Sequence, residues 1–276
     1  SQGCGSVLSL PYTVAVRPDV VPSVVSGVQT ICYGSAAGTL ARSSATGSDG
    51  SFTYDWQESL NGVSGWSNVG SSSTTLNPGV LTSSRWYRVS CTSVCGVEYS
   101  NVVKVNVRNP ISSGVFSPTT SEICYNTGTS LSVGVASGGD SVYSYVWERR
   151  LLGGSWSVSP GSTSSLTHST GSLLTTMEYR VISSSGCNVP DTSNTYVVDV
   201  ADDLSVSAIS ISGSSTICHN TLPTQLSVLA SGGRSPYSYQ WERSVSGSGV
   251  WVNVGTNSSS YTESRSLTST TEYRVT

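Results

Sequence analysis

Phe52-Thr53-Tyr54-Asp55-Trp56-Gln57, Tyr143-Ser144-Tyr145-Val146-Trp147-Glu148 and Tyr237-Ser238-Tyr239-Gln240-Trp241-Glu242 are one short pattern written three times. Its aromatic residues fall on every second position, the period of a β-strand whose side chains alternate between two faces. Upstream of each copy stands an Ile-Cys pair: Ile31-Cys32, Ile123-Cys124 and Ile217-Cys218. Downstream stand a second tryptophan, Trp66, Trp156 or Trp251, and a Tyr-Arg-Val run beginning at Tyr87, Tyr179 or Tyr273. Cys32, Cys124 and Cys218 are spaced by 92 and 94 residues. Self-similarity at a fixed period signals an array, and this period is the size of one small β-sandwich.

The two ends of the chain continue the pattern. The closing Tyr273-Arg274-Val275-Thr276 stops where the other copies run on to Cys95-Gly96 or Gly186-Cys187 and a valine-rich strand. The opening Gly3-Cys4-Gly5 and Tyr12-Thr13-Val14-Ala15-Val16 supply that continuation, and joined tail to head the third spacing is 90 residues. The expectation is a window on a longer parent with further modules on both sides. The expected fold is all-β, a tandem array of immunoglobulin-like β-sandwich modules of about 92 residues. Residues 1–19 would hold the C-terminal strand or strands of a preceding module, 20–109 and 110–202 two modules, and 203–276 a module lacking its last strand.

Other stretches agree. Leu131, Val133 and Val135 alternate with small or polar residues, as do Val103, Val105 and Val107. Runs rich in Ser, Gly and Asn, such as 47–51, 61–65 and 244–249, punctuate these strands as hairpin turns do. No helix of useful length is visible. Arg17-Pro18-Asp19, Arg108-Asn109-Pro110 and Ala201-Asp202-Asp203 read as short joints, two of them stiffened by proline.

Composition excludes some classes of function. Charged residues are only 11% and the net charge is −3, so there is no basic surface for phosphates or an anionic membrane. No run of 18 apolar residues exists to span a bilayer. The 61 Ser and 29 Thr would suit a disordered stalk, but 7 Trp, 14 Tyr and 36% hydrophobic residues can fill cores, so a folded chain is expected.

Cys32 with Cys95 and Cys124 with Cys187 are the pairs expected within modules, leaving Cys4 and Cys218 for partners outside the window. A loop of that length constrains the unfolded chain by roughly 4 kcal/mol, and persistent disulfides imply an oxidising, extracellular setting. Cys91 has no counterpart in the other modules. It could replace Cys95, sit as a buried thiol, or crosslink a neighbouring chain. A zinc site at Cys91 and Cys95 lacks a second ligand pair nearby.

Enzyme constellations are missing. There is no Gly-x-Ser-x-Gly elbow, no phosphate-cradling Gly-Lys-Ser/Thr loop and no calcium loop of alternating acids. His168 and His219 lie in different repeats and read as surface or edge residues, and Glu148 and Glu242 as solvated carboxylates. We therefore expect no catalytic residue, metal or cofactor. Tyr54 with Trp56, and their counterparts, read as core around the disulfide rather than as a platform for sugar rings. Trp66, Trp156 and Trp251 follow flexible turns and are the candidates for a partly exposed role, including glycan contact. Acids at Asp19, Asp202 and Asp203 invite comparison with calcium-stiffened joints, but Asn109-Pro110 has none. Intramolecular Lys–Asn crosslinks need a lysine in each module, and Lys104 is the sole lysine.

The set formed by Ile-Cys, Tyr-x-Tyr-x-Trp, the Leu-Thr to Tyr-Arg-Val stretch, the Gly-Cys element and Asn101-Val102-Val103-Lys104-Val105 resembles the immunoglobulin-like, PKD-like repeats of giant Bacteroidota surface proteins. The resemblance covers the whole chain. It implies export by the type IX route and service as an adhesin, gliding fibre or filament shaft. Departures are Pro236 in the third module, Trp86 and Cys91 in the first, and a Tyr-to-Cys spacing unlike a tyrosine corner. The resulting reading is a structural shaft segment of an extracellular, cell-surface adhesin or filament. Its expected partners are adjacent repeats or other copies of itself. The alternative is a carbohydrate-binding array that holds surface glycans through Trp66, Trp156 and Trp251.

Overall fold

A computed structural model describes residues 3–187 and 189–276. It is all-β, as the period-two patterns require, and its sheets repeat three times along the chain.

In the first repeat the larger sheet runs in the order Gln29–Ile31, Val103–Val107, Arg85–Ser93, Thr53–Ser59, Ser67–Ser71, with Gly96–Tyr99 folding back along Arg85–Ser93. The facing sheet holds Val25–Ser26, Leu40–Arg42 and Thr75–Leu76. Pairing is antiparallel except where Gln29, Thr30 and Ile31 run parallel to Val105, Asn106 and Val107. The chain thus starts in one sheet at Val25 and crosses to the other at Gln29. Gly27 makes the crossing with φ +110°, and a Cβ there would lie 2.9 Å from Leu40 Cδ2.

The second repeat reproduces this sheet with Thr120–Ile123 parallel to Tyr196–Val200, followed by Met177–Ser184, Ser144–Leu151 and Ser157–Val158. Its facing sheet pairs Ser130–Ser132 with Thr167–Ser169. In the third repeat Trp241–Val245 lies between Val252–Val254 and Thr271–Val275, opposite a sheet of Ser210–Ile211, Leu226–Ser227 and Ser260–Tyr261. There Thr271–Val275 is an edge, and residues 216–218 belong to no sheet.

Each core is built on the triplet tryptophan. Trp56, Trp147 and Trp241 are all completely buried. Their indole N–H groups donate to the carbonyls of Ser73, Ser165 and Ser258 at 3.0, 2.8 and 2.9 Å, so burial leaves no donor unpaired. Around Trp56 pack Val25, Leu40, Tyr87, Val89 and Val105. No disulfide lies in this core, where the sequence suggested one beside the tryptophan. Leu40, Leu131 and Leu226 pair in register with Leu76, His168 and Tyr261 on the facing sheet, and two of those partners stack on the buried indole.

By contacts the chain divides into two units that cut across the repeats. Ser1–Ser112, Ser137–Tyr143 and Ser184–Val189 form one; Ser113–Ala136, Ser144–Ser183 and Pro190–Thr276 form the other. Two loops of the second repeat therefore belong with the first repeat, and those loops carry the chemistry described next.

Candidate functional site

Cys32 is bonded to Cys187, with an S–S distance of 2.03 Å and Cα atoms 5.3 Å apart. The expected Cys32–Cys95 and Cys124–Cys187 bonds are absent, and Cys95 and Cys124 are free and exposed, like Cys4 and Cys218. Strand register gives the reason. Ile31 pairs with Val107, so Cys32 leaves the sheet at the end of the last strand. Cys95 sits in the turn after Ser93, beyond the beginning of that strand, roughly 30 Å away at 3.3 Å per residue. A disulfide tolerates a Cα separation of about 4.4–6.8 Å, so the two thiols of one repeat cannot meet. The reachable partner is Cys187, in the loop after Met177–Ser184 of the following repeat. Cys91 is a buried free thiol whose Sγ lies 3.3 Å from Ser23 Oγ.

The same region carries a backbone clasp, repeated at every linker. Ser48 N donates to Pro18 O at 2.9 Å, Gly139 N to Asn109 O at 2.9 Å, and Gly233 N to Asp202 O at 2.8 Å. The turn before each donor is left-handed: Gly47 has φ +91°, Gly138 +77° and Gly232 +69°. A Cβ on these glycines would meet the carbonyl oxygens of Asp19, Pro110 and Asp203 at 1.8, 2.0 and 1.9 Å. Only glycine lets the loop lie this close on the linker. Tyr143 and Tyr237, each opening its aromatic triplet, donate their hydroxyls to Gly138 O and Gly232 O at 2.8 and 2.7 Å.

The residue after each clasp carries a charge used nearby. Asp49 pairs with Arg17 at 3.0 Å, and Asp140 accepts from Gly186 N at 3.1 Å in the loop that holds Cys187. Arg234 pairs with Asp199 at 2.8 Å and Glu122 at 3.2 Å. Arg234 and the Thr176 hydroxyl hold the Asp199 carboxyl below its ordinary range. Among the described residues no three His, Cys, Asp or Glu side chains gather as a metal site would need.

The second tryptophans are half-buried and lie under arginine. The Arg88 guanidinium is 4.2 Å from the Trp66 ring centre and 3.9 Å from that of Tyr99. Arg180 and Arg150 each lie 4.4 Å from Trp156, and Arg274 lies 4.2 Å from Trp251. Arg88, Arg180 and Arg274 are the arginines of the Tyr-Arg-Val runs, so two separate motifs meet across the strand that lies between them. Each also bonds the residue after the triplet tryptophan: Arg88 Nε donates to Gln57 Oε1 at 2.9 Å, Arg180 to Glu148 at 2.7 Å, and Arg274 to Glu242 at 2.5 Å. Glu148 and Glu242 are therefore paired, not simply solvated as the sequence suggested. A guanidinium that stacks on an indole while bonding a carboxylate is fixed at both ends.

His168 is also corrected. It is 5% exposed, stacked on Trp147 at 5.1 Å, with Nε2 2.8 Å from Ser159 Oγ. Burial first, and then Arg149, push its pKa below 6.5. His219 is exposed, as expected. The alternation did not place His168 inside, because its strand is embedded in a Ser/Thr run in which Leu166 alone marks the face.

Two facing sheets and a buried tryptophan in each of three repeats, with a parallel first-to-last pairing in the first two, define a tandem array of immunoglobulin-like β-sandwiches. The chain belongs to the family described as a domain of unknown function, DUF8696, whose pattern matches residues 21–109 and 207–276. No curated protein matches it. Solved structures similar to the chain include the FN1-FN3 domains of chicken CNTN1, at 14% identity and TM-score 0.35, covering 94% of this chain and 90% of that one. The three N-terminal domains of the bacteriophage RB49 Highly Immunogenic Outer Capsid protein match at 14% identity and TM-score 0.41, covering 85% and 79%. An I-band fragment of titin matches at 10% identity and TM-score 0.40, covering 88% and 83%.

Proposed function

We propose that the chain is a load-bearing shaft segment of a long extracellular adhesin or surface filament, without enzymatic activity. The observation that supports this best is the linker chemistry. At three successive linkers the same glycine turn bonds the linker backbone, and at one of them a disulfide joins residues of consecutive repeats. Such fastening resists extension and gives no catalytic advantage. The disulfide suits an oxidising exterior, and the bacterial surface setting with type IX export follows from the sequence resemblance. Arginine on Trp66, Trp156 and Trp251 favours the shaft over a glycan array, since a stacking sugar competes with the guanidinium for the ring.

Pulling the chain by its two ends in a force spectrometer tests this reading. With the disulfide intact the load passes from Cys32 to Cys187 and bypasses the 155-residue separation between them. Reduction should add roughly 550 Å of releasable length, at about 3.6 Å per residue. Equal length before and after reduction would contradict a shaft reinforced in this way. Absence of the chain from the surface of intact cells, by antibody labelling, would contradict the setting.

A further inference from the structure

The outer face of the first repeat's larger sheet differs in charge from its counterparts. Trp56, Tyr87 and Val105 are buried, so Gln57, Arg88 and Lys104, which alternate with them, lie on the opposite face. In the second and third repeats the arginine of this face is held by a glutamate, Glu148 or Glu242; in the first it is held by Gln57. The amide keeps the guanidinium in place, with Oε1 2.9 Å from Nε, and brings no charge to offset it.

A second acid is replaced as well. Glu178, which accepts from Arg150 in the second repeat, corresponds to Trp86, and Val197, paired with Glu178 in register, corresponds to Lys104. Lys104 Nζ lies 4.8 Å from the centre of the Trp86 ring. Among the described residues neither Arg88 nor Lys104 has a salt bridge. Asp55 shares the face, opposite Ser90 in register, and bridges neither cation. Tyr99 adds a ring that is 45% exposed, at the position of Thr192 in the second repeat.

We propose that this face binds an acidic polysaccharide, a polymer whose sugar rings carry carboxylates. Thr53–Ser59 and Arg85–Ser93 are paired on both sides, so the face offers no free backbone to an added peptide strand and reads its ligand through side chains alone. Gln57 holds Nε of Arg88, and the terminal N–H groups of a guanidinium form the fork that matches a carboxylate. Lys104, on the neighbouring strand and diagonal to Arg88, supplies charge for a second carboxylate of the polymer. Tyr99 offers an apolar ring, and the Gln57 amide and Thr92 hydroxyl can bond sugar hydroxyls. The carboxylate takes the edge of the guanidinium and leaves its flat face on Trp66, so the competition that disfavours a glycan array at the second tryptophans does not arise. The site belongs to the first repeat alone and is independent of the shaft reading.

Affinity electrophoresis of the full chain tests this, with polygalacturonate, its methyl ester and polyglutamate in the gel. Polygalacturonate should retard the chain, less so as salt is raised, and the other two polymers should retard it far less. Gln57→Glu, which installs the arrangement of the other repeats, should weaken binding roughly tenfold or more without lowering the melting temperature. Lys104→Gln should weaken it severalfold, while Gln225→Glu, the same change of charge at an exposed site of the third repeat, should leave it unchanged. Absence of retardation by polygalacturonate, or equal retardation by the uncharged ester, would overturn the proposal. So would binding that survives Gln57→Glu, and equal retardation by polyglutamate would assign the face to an acidic peptide instead.

Discussion

Cys32 and Cys187 lie 155 residues apart along the chain, yet their Cα atoms are 5.3 Å apart and their sulfurs are bonded. The bond gathers into one compact unit the end of the first repeat and a loop of the second. Around it Gly138 and Gly139 hold the linker backbone, and Asp140 holds the loop bearing Cys187. Covalent and hydrogen-bonded fastening coincide.

The clasp should be intolerant of any side chain. Gly138→Ala places a Cβ 2.0 Å from Pro110 O at φ +77°, and should destabilise the linker by about 1–3 kcal/mol. Gly153→Ala, at φ +70° but in open space, should cost only about 1 kcal/mol. Hydrogen exchange at the Gly139 amide distinguishes them, since only the first variant should lose its protection.

The core and surface tryptophans should separate energetically. Trp147→Ala empties a fully buried site and should cost about 3–5 kcal/mol in urea denaturation. Trp156→Ala removes a half-buried ring held by two arginines and should cost about 1–2 kcal/mol. Equal costs would mean that the two rings are not core and cover.

Arg180 should act through both of its contacts. Arg180→Ala frees Glu148 and leaves Trp156 under Arg150 alone, and should destabilise the second repeat by about 1–2 kcal/mol. Arg180→Lys should recover only part of this, because an ammonium lacks the flat face and the fork.

The second repeat should be acid-sensitive through His168. Its folded pKa lies below 6.5, because burial and Arg149 disfavour the charged form. Above 6.5 both folded and unfolded states hold the imidazole neutral and stability is complete. As pH falls below 6.5 the unfolded state takes up the proton first, so stability declines until the folded pKa is passed. His168→Leu, which copies Leu76 of the first repeat, should remove this slope in melting temperature between pH 7 and pH 5, and an unchanged slope would assign it to other groups.

The sandwich and its tryptophan core were legible because alternation, period and bulk all point the same way: Tyr145-Val146-Trp147 can be little else than a half-buried strand. The disulfide was not legible, because pairing depends on which end of a sheet each thiol occupies. Cys32 and Cys95 share a repeat and lie at opposite ends of it, and only the parallel register of Ile31 with Val107 shows this. His168 was hidden for a similar reason: its partner Leu131 and the stacked Trp147 lie on other strands. Trp156 and Arg180 recur together in every repeat, a coupling visible in the sequence, although their stacking emerges only with the strand order.

Disulfide mapping tests the fastening most directly. The chain is alkylated in its folded, non-reduced state, digested without reductant and analysed by mass spectrometry. We expect one peptide pair joined through Cys32 and Cys187, with Cys91 alkylated only after unfolding because it is completely buried. Peptides joined as Cys32–Cys95 and Cys124–Cys187 would contradict it, returning the bonds to single repeats and leaving the linkers without a covalent tie.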